Sequence, residues 1–125
     1  MTKLEAVTGQ LSQAVSRLKE ALDQPYSDFI RDASIQRFEF TVDLAWKSLK
    51  TYLEEEKGII CHSPKDCVRS AFQNGLIDYD EKWLGIIDMR NQTAHIYKQE
   101  LAEEIFSKLK PTLPLFESLL DKLQR

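Results

Sequence analysis

Between Asp88 and Tyr97 the chain reads Asp-Met-Arg-Asn-Gln-Thr-Ala-His-Ile-Tyr, and groups able to do chemistry crowd together there. Arg90 offers a fixed cation, Asn91 an amide, His95 a titratable imidazole and Tyr97 a phenol. His95 is one of 2 histidines in the chain. An arginine can hold a phosphate oxygen pair with two parallel hydrogen bonds. A histidine titrates near neutral pH and can pass protons. Together they suit metal-free cleavage of an RNA phosphodiester. A base removes the 2′-OH proton, a cation stabilises the crowded phosphorane, and an acid protonates the leaving oxygen.

Spacing restricts how these groups can meet. In a regular helix residues lie 100° apart, so Asp88, Asn91 and His95 share one stripe and Trp83, Arg90, Ala94 and Tyr97 another. Arg90 and His95 are then about 140° apart round the helix. They converge only if the helix unwinds after Ala94, or if two copies of the helix face each other. The cleavage scheme wants two proton-transfer groups, and the chain brings one histidine to the spot, since His62 lies in a distant loop. A two-fold dimer would bring two His95 and two Arg90 to one cleft. The structural alternative stands beside this. Arg90 would pair with a carboxylate on a helix surface and His95 would be a polar cap at a helix end.

Two other clusters are weaker. Cys61, His62 and Cys67 offer three soft ligands, but zinc sites usually hold four in paired short spacings, so the reading is no metal. Cys67 is then expected on a buried helix face, and Cys61 and His62 in an exposed loop. Trp46, Trp83, Phe38, Phe40 and Tyr52 could stack bases, yet at helical spacing such aromatics more often form core or a subunit interface.

The elements that must carry these residues are helices. A length of 125 residues suits one domain with its own core over residues 1–125. Charged residues at 30% and hydrophobic ones at 42% are globular proportions. A net charge of -3 argues against coating nucleic acid by bulk electrostatics, though not against a local RNA or nucleotide site. Few cysteines and a polar start suggest a reducing cytoplasm, and no apolar run is long enough to span a membrane.

Leu4, Val7, Leu11, Val15, Leu18 and Leu22 mark a first amphipathic helix, from about Thr2 to Asp23, with Thr2 and Glu5 as a capping box. Pro25 ends it. The longest helix runs from about Asp28 to Lys57, with Gly58 as C-cap. Its faces carry Ile35, Phe38, Val42, Ala45 and Leu49 on one side and Phe40, Leu44 and Trp46 on another. A helix of about 45 Å packed on two sides should be the central mast. Ser63 and Pro64 open a third helix with Cys67, Val68, Ala71 and Phe72 inward, closed at Gly75. A fourth starts near Asp78 or Asp80 and runs into the Arg90 stretch. The fifth runs from about Lys98 to the end, and Pro111 and Pro114 should kink or split it. The expectation is all-α: an antiparallel bundle of about five helices with no strands.

The residues also resemble a family. Arg90-Asn91-Gln92-Thr93-Ala94-His95-Ile96-Tyr97 matches the Arg-x4-His-x-Tyr motif of HEPN-domain proteins. The block from Ile35 to Lys47, with Phe38-Glu39-Phe40 and Trp46-Lys47, looks like the long helix of the branch described as nucleotidyltransferase substrate-binding proteins, related to the HepT toxins. Ser63 to Asp66, Ala71-Phe72, Gly75 to Asp78 and Trp83 fit it too, so the likeness covers about Ile35 to Phe106.

The resemblance implies a helical bundle with a four-helix up-and-down core. It implies a homodimer whose motifs meet at a cleft, and a minimal nucleotidyltransferase partner encoded nearby. It gives two descriptions of function: a metal-independent RNase toxin, or a non-catalytic substrate- or nucleotide-binding subunit. Under the first, Arg90 and His95 are catalytic, Asn91 supports them, and the nucleotidyltransferase silences the toxin by moving AMP to Tyr97. No cofactor or metal is implied. An adenylylated Tyr97 would add bulk and negative charge two residues from His95. Lys98 departs from the family, where an acidic cap is common. The acidic balance mildly favours the binding subunit, and the intact Arg90–His95 pair favours the RNase.

Overall fold

Short links punctuate this chain, and the local chemistry at each decides where a helix stops. In the computed structural model, residues 1–125 are described, the side chain of Asp80 apart. Among the described residues there are six α-helices and two short 3-10 turns, with no strand. Helix α1 spans Lys3–Leu22, α2 Asp28–Lys57, α3 Pro64–Gln73, α4 Asp80–Gln92, α5 Gln99–Ser107 and α6 Leu113–Leu123. The all-α expectation holds.

The caps follow from residue chemistry. Thr2 Oγ1 accepts from the Glu5 amide at 3.0 Å, and Ser63 Oγ from the Asp66 amide at 3.1 Å. Each satisfies one donor that the first helical turn leaves without a partner. Gly58 ends α2 at φ 66, a left-handed position that costs glycine little. The fifth expected helix is split: α5 ends at Ser107, a 3-10 turn covers Lys110–Thr112 with Pro111 inside it, and α6 carries Pro114 in its first turn. A proline tolerates a helix start but not its interior.

Helix α2 is the mast: α1, α3, α4 and α5 all pack against it. The link from α1 to α2 covers only Asp23 to Ser27, so the two lie antiparallel along a long shared face. Ile35, Phe38, Ala45, Leu49 and Leu53 of α2 are fully buried with Leu11 and Leu18 of α1. Phe116 of α6 closes the core from the far side. It meets Phe38 at 6.4 Å and Trp83 at 5.5 Å, both edge-on, a favoured aromatic geometry. Truncating Phe116 to alanine should cost about 3–5 kcal/mol. Trp83 is therefore core and not a platform for bases.

Three expectations fail. Phe72, expected inward, is 43% exposed, because the short α3 buries one narrow stripe, Cys67, Val68 and Ala71. Phe40, expected on a second packed face, is 53% exposed, whereas Leu44 and Trp46 on that side are half-buried. Cys61 does not lie in an exposed loop. It is buried and bonded to Cys67, with their Cα atoms 5.1 Å apart. The bond closes the loop after Gly58 onto the first turn of α3, and Asp66 accepts the His62 amide at 2.9 Å beside it. No group of three or more possible metal ligands occurs among the described residues. No helix is long and apolar enough to cross a membrane.

Candidate functional site

The Arg90 stretch begins as helix and ends as turn. α4 stops at Gln92, and Thr93–His95 form a 3-10 turn. The helix thus ends two residues before Ala94, the point after which unwinding would let Arg90 and His95 converge. Thr93 explains the position: its hydroxyl donates to the Arg90 carbonyl at 2.6 Å, taking an acceptor from the helix ladder. The amide of Lys98 then donates to the His95 carbonyl at 3.2 Å and opens α5. The shared stripes expected of a continuous helix therefore break after Gln92.

Arg90 is held from across the bundle. Its Nε donates to Asp43 Oδ1 and its Nη2 to Asp43 Oδ2, both at 3.2 Å, so the guanidinium grips that carboxylate with two prongs. Nη1 donates to Glu39 Oε2 at 2.9 Å and to Thr93 Oγ1 at 3.1 Å. Thr93 Oγ1 also lies 3.0 Å from Glu39 Oε2. These contacts engage four of the five guanidinium N–H groups and leave one on Nη2. Glu39 and Asp43 sit one turn apart on α2 and aim at the same point.

The cluster is partly covered: the side chains of Arg90, Glu39 and Asp43 are 29%, 26% and 40% exposed. The hydrogen bond to Asp43 holds the Arg90 guanidinium above its ordinary value; burial opposes this, and the charges of Asp43 and Glu39 add to it. A raised folded value stabilises below the unfolded one, and that gain is lost only as pH climbs through the folded value. For a guanidinium this lies beyond any working pH, so Arg90 is a permanent cation.

His95, Tyr97 and Asn91 are all exposed, Tyr97 at 77%. Among the described residues none of their side chains takes part in a hydrogen bond. The rings of His95 and Tyr97 stand edge-on with centroids 6.1 Å apart. Asp88, at the start of the stretch, pairs with Lys65 of α3 at 2.6 Å and takes no part in the Arg90 cluster. The fold thus brings Arg90, Glu39, Asp43 and Thr93 together, and sets His95 and Tyr97 on the exposed turn that follows. The alternative of a carboxylate partner for Arg90 is realised, with two carboxylates.

Glu39, Asp43 and Thr93 were missed as members of the site. The available signal was the carboxylate pair at i and i+4 on the inner half of a mast helix, which needs a cation.

Chemically, the arrangement offers a fixed cation with one N–H to give, a free imidazole and a free phenol within one short stretch of chain. It contains no preformed metal cage.

Known proteins supply the context. Residues 3–125 match the family described as nucleotidyltransferase substrate binding protein like. The chain is 33% identical over 102 residues to a probable ribonuclease HepT of Haemophilus influenzae, covering 78% of this chain and 70% of that protein. A crystal structure of a Thermus thermophilus protein superposes with TM-score 0.87 at 38% identity, over 92% of this chain and 99% of that one. A Haemophilus influenzae protein, described as having the fold of a substrate-binding domain of a nucleotidyltransferase, superposes with TM-score 0.75 at 32% identity, over 98% and 97% of the two chains. This chain belongs to the nucleotidyltransferase substrate-binding protein-like family.

Proposed function

We propose that this protein is a metal-independent endoribonuclease, the toxin of a pair with a minimal nucleotidyltransferase, acting as a homodimer with Arg90 and His95 in its cleft. The observation that carries the reading is the exposed His95, free of side-chain hydrogen bonds, on a turn that follows a locked Arg90. A histidine retained for packing would be buried or bonded. The similarity to a probable ribonuclease adds support.

The chemistry needs a base and an acid. In a two-fold dimer, one His95 takes the 2′-OH proton while the 2′ oxygen attacks phosphorus. The His95 of the other protomer gives a proton to the departing 5′ oxygen, leaving a 2′,3′-cyclic phosphate. Arg90 meets the phosphorane charge with its remaining Nη2 N–H, while Asp43 and Glu39 keep the guanidinium plane in place. Asn91 is a further amide donor beside the strand.

Tyr97 is the regulatory group. Its phenol attacks the α-phosphorus of ATP on the partner nucleotidyltransferase, pyrophosphate leaves, and the phenolic proton is released. The added phosphate sits two residues from His95 and competes for Arg90. Incubation with that partner and ATP should add the mass of AMP at Tyr97, and a protein that gains none, or gains it elsewhere, removes this role.

A second reading is favoured by the acid pair itself. With Arg90 held by Asp43 and Glu39, the cluster is net negative and a poor phosphate trap. The protein would then bind and present a substrate to the nucleotidyltransferase without cutting RNA. Incubating the unmodified dimer with RNA in chelator separates the two: cleavage that His95→Ala removes supports the RNase, and intact RNA supports the binding subunit.

A further inference from the structure

A pair of cations lies on another flank of α2, where it meets α1. There Gln10, Gln13 and Arg17 of α1 face Arg37, Phe40 and Leu44 of α2 across an open cavity of about 370 Å³. That volume lies in the range of small-molecule sites. No acidic residue lines it. Among the described residues neither Arg17 nor Arg37 forms an ion pair with a carboxylate, in contrast to Arg31 and Arg90.

Arg37 is aimed rather than loose. Its Nη1 donates to the Arg17 carbonyl at 2.7 Å, across the two helices. One of its five N–H groups is thereby engaged, and the rest remain for a ligand. Arg37, Phe40 and Leu44 lie at i, i+3 and i+7, one stripe of α2. Glu39 and Asp43 lie about 60–160° from these residues round the same helix, and neither lines the cavity. Phe40 is 53% exposed at the rim, where an aromatic face is costly to leave in water.

We infer that the α1–α2 cavity is a binding site for a nucleoside phosphate, with Arg17 and Arg37 on the phosphate and Phe40 against the base. Guanidinium forks match phosphate oxygens, and an exposed phenylalanine stacks any base on its π face. Gln10 and Gln13 supply a donor and an acceptor each for base or ribose edges. Half-buried Leu44 gives the base an apolar floor. The site uses neither Arg90 nor His95 and does not depend on cleavage. The nucleotide is either free or one unit of a single RNA strand.

The test is calorimetric titration of the full chain with adenosine 5′-monophosphate, adenosine, inorganic phosphate and a short single-stranded oligoadenylate. The monophosphate should bind, with adenosine and phosphate each about tenfold weaker or more, and binding should weaken as salt rises. Arg17→Ala and Phe40→Ala should each weaken it about tenfold. Arg37→Ala should do the same. Since Arg37 also ties the helices, thermal unfolding accompanies it, and Arg17→Ala carries the result if Arg37→Ala unfolds. His95→Ala should bind the monophosphate as the wild type does, which keeps this test apart from the RNase reading. Oligoadenylate binding about tenfold tighter, and lost in the same variants, identifies an RNA strand as the source; equal affinity identifies a free nucleotide. The inference is overturned if the wild type binds no monophosphate at millimolar concentration, or if Arg17→Ala and Phe40→Ala bind it unchanged. It is also overturned if Phe40→Ala only dissociates an oligomer, which would make the rim a contact between copies.

Discussion

Arg31 and Arg90 are both arginines placed among acids, and they are held in different ways. Arg31 belongs to α2 itself and is 7% exposed. Its Nε bonds its sequence neighbour Asp32 at 2.9 Å, while Nη1 lies 3.6 Å from Asp28 and 3.8 Å from Glu103 and makes no hydrogen bond. Arg90 comes from α4 and makes four hydrogen bonds, three of them to carboxylates 47 and 51 positions away in sequence. The first is a covered cation with loose local partners. The second is a two-pronged tie between helices, three residues ahead of the start of the Thr93–His95 turn. Pairing an arginine with acids therefore does not by itself mark a site. The candidate site differs in its rigid placement beside unengaged groups that can move protons.

The largest effect should come from Arg90→Ala. It leaves Glu39 and Asp43 facing each other without a cation, and removes the proposed phosphorane donor. RNA cleavage should fall by about 10²–10³-fold. Stability in urea should fall by about 1–3 kcal/mol, between the values for exposed and fully buried pairs. Asp43→Asn should come next. One prong of the grip weakens while Thr93 and Glu39 remain, so stability should fall by about 1 kcal/mol in the same measurement.

Arg31→Met should sharpen the contrast. A covered arginine with loose partners exchanges well for an apolar chain of similar length. Its urea midpoint should stay close to wild type and its RNA cleavage unchanged. A loss of cleavage matching that of Arg90→Ala would break the comparison. The smallest effect belongs to Tyr97→Phe. An exposed phenol without a partner should leave stability within about 0.5 kcal/mol. The same variant should gain no AMP in mass spectrometry after incubation with the nucleotidyltransferase and ATP.

Much of the fold was legible because its signals are local. Thr2, Ser63 with Pro64, Gly58, and Pro111 with Pro114 each act within a few residues on their own backbone, and each boundary falls where they place it. The apolar spacing of α2 marked it as the mast because burial must follow the 3.6-residue period. The site was legible only in half. Arg90, His95 and Tyr97 stand out by residue type, whereas Glu39, Asp43 and Thr93 matter through contacts that only tertiary structure creates. The Cys61–Cys67 bond is short in sequence but escaped because Cys61 was placed in water. The exposure of Phe40 and Phe72 escaped because periodicity tells which residues share a face, not whether a neighbouring helix is long enough to cover it.

The central question is whether the exposed His95 moves protons on RNA. The direct measurement is cleavage of a labelled single-stranded RNA by the unmodified protein in chelator, wild type beside His95→Ala. The wild type should leave 2′,3′-cyclic phosphate ends, and the variant should be slower by about 10²–10⁴-fold. Intact RNA with the wild type, or equal cleavage by both proteins, would contradict this.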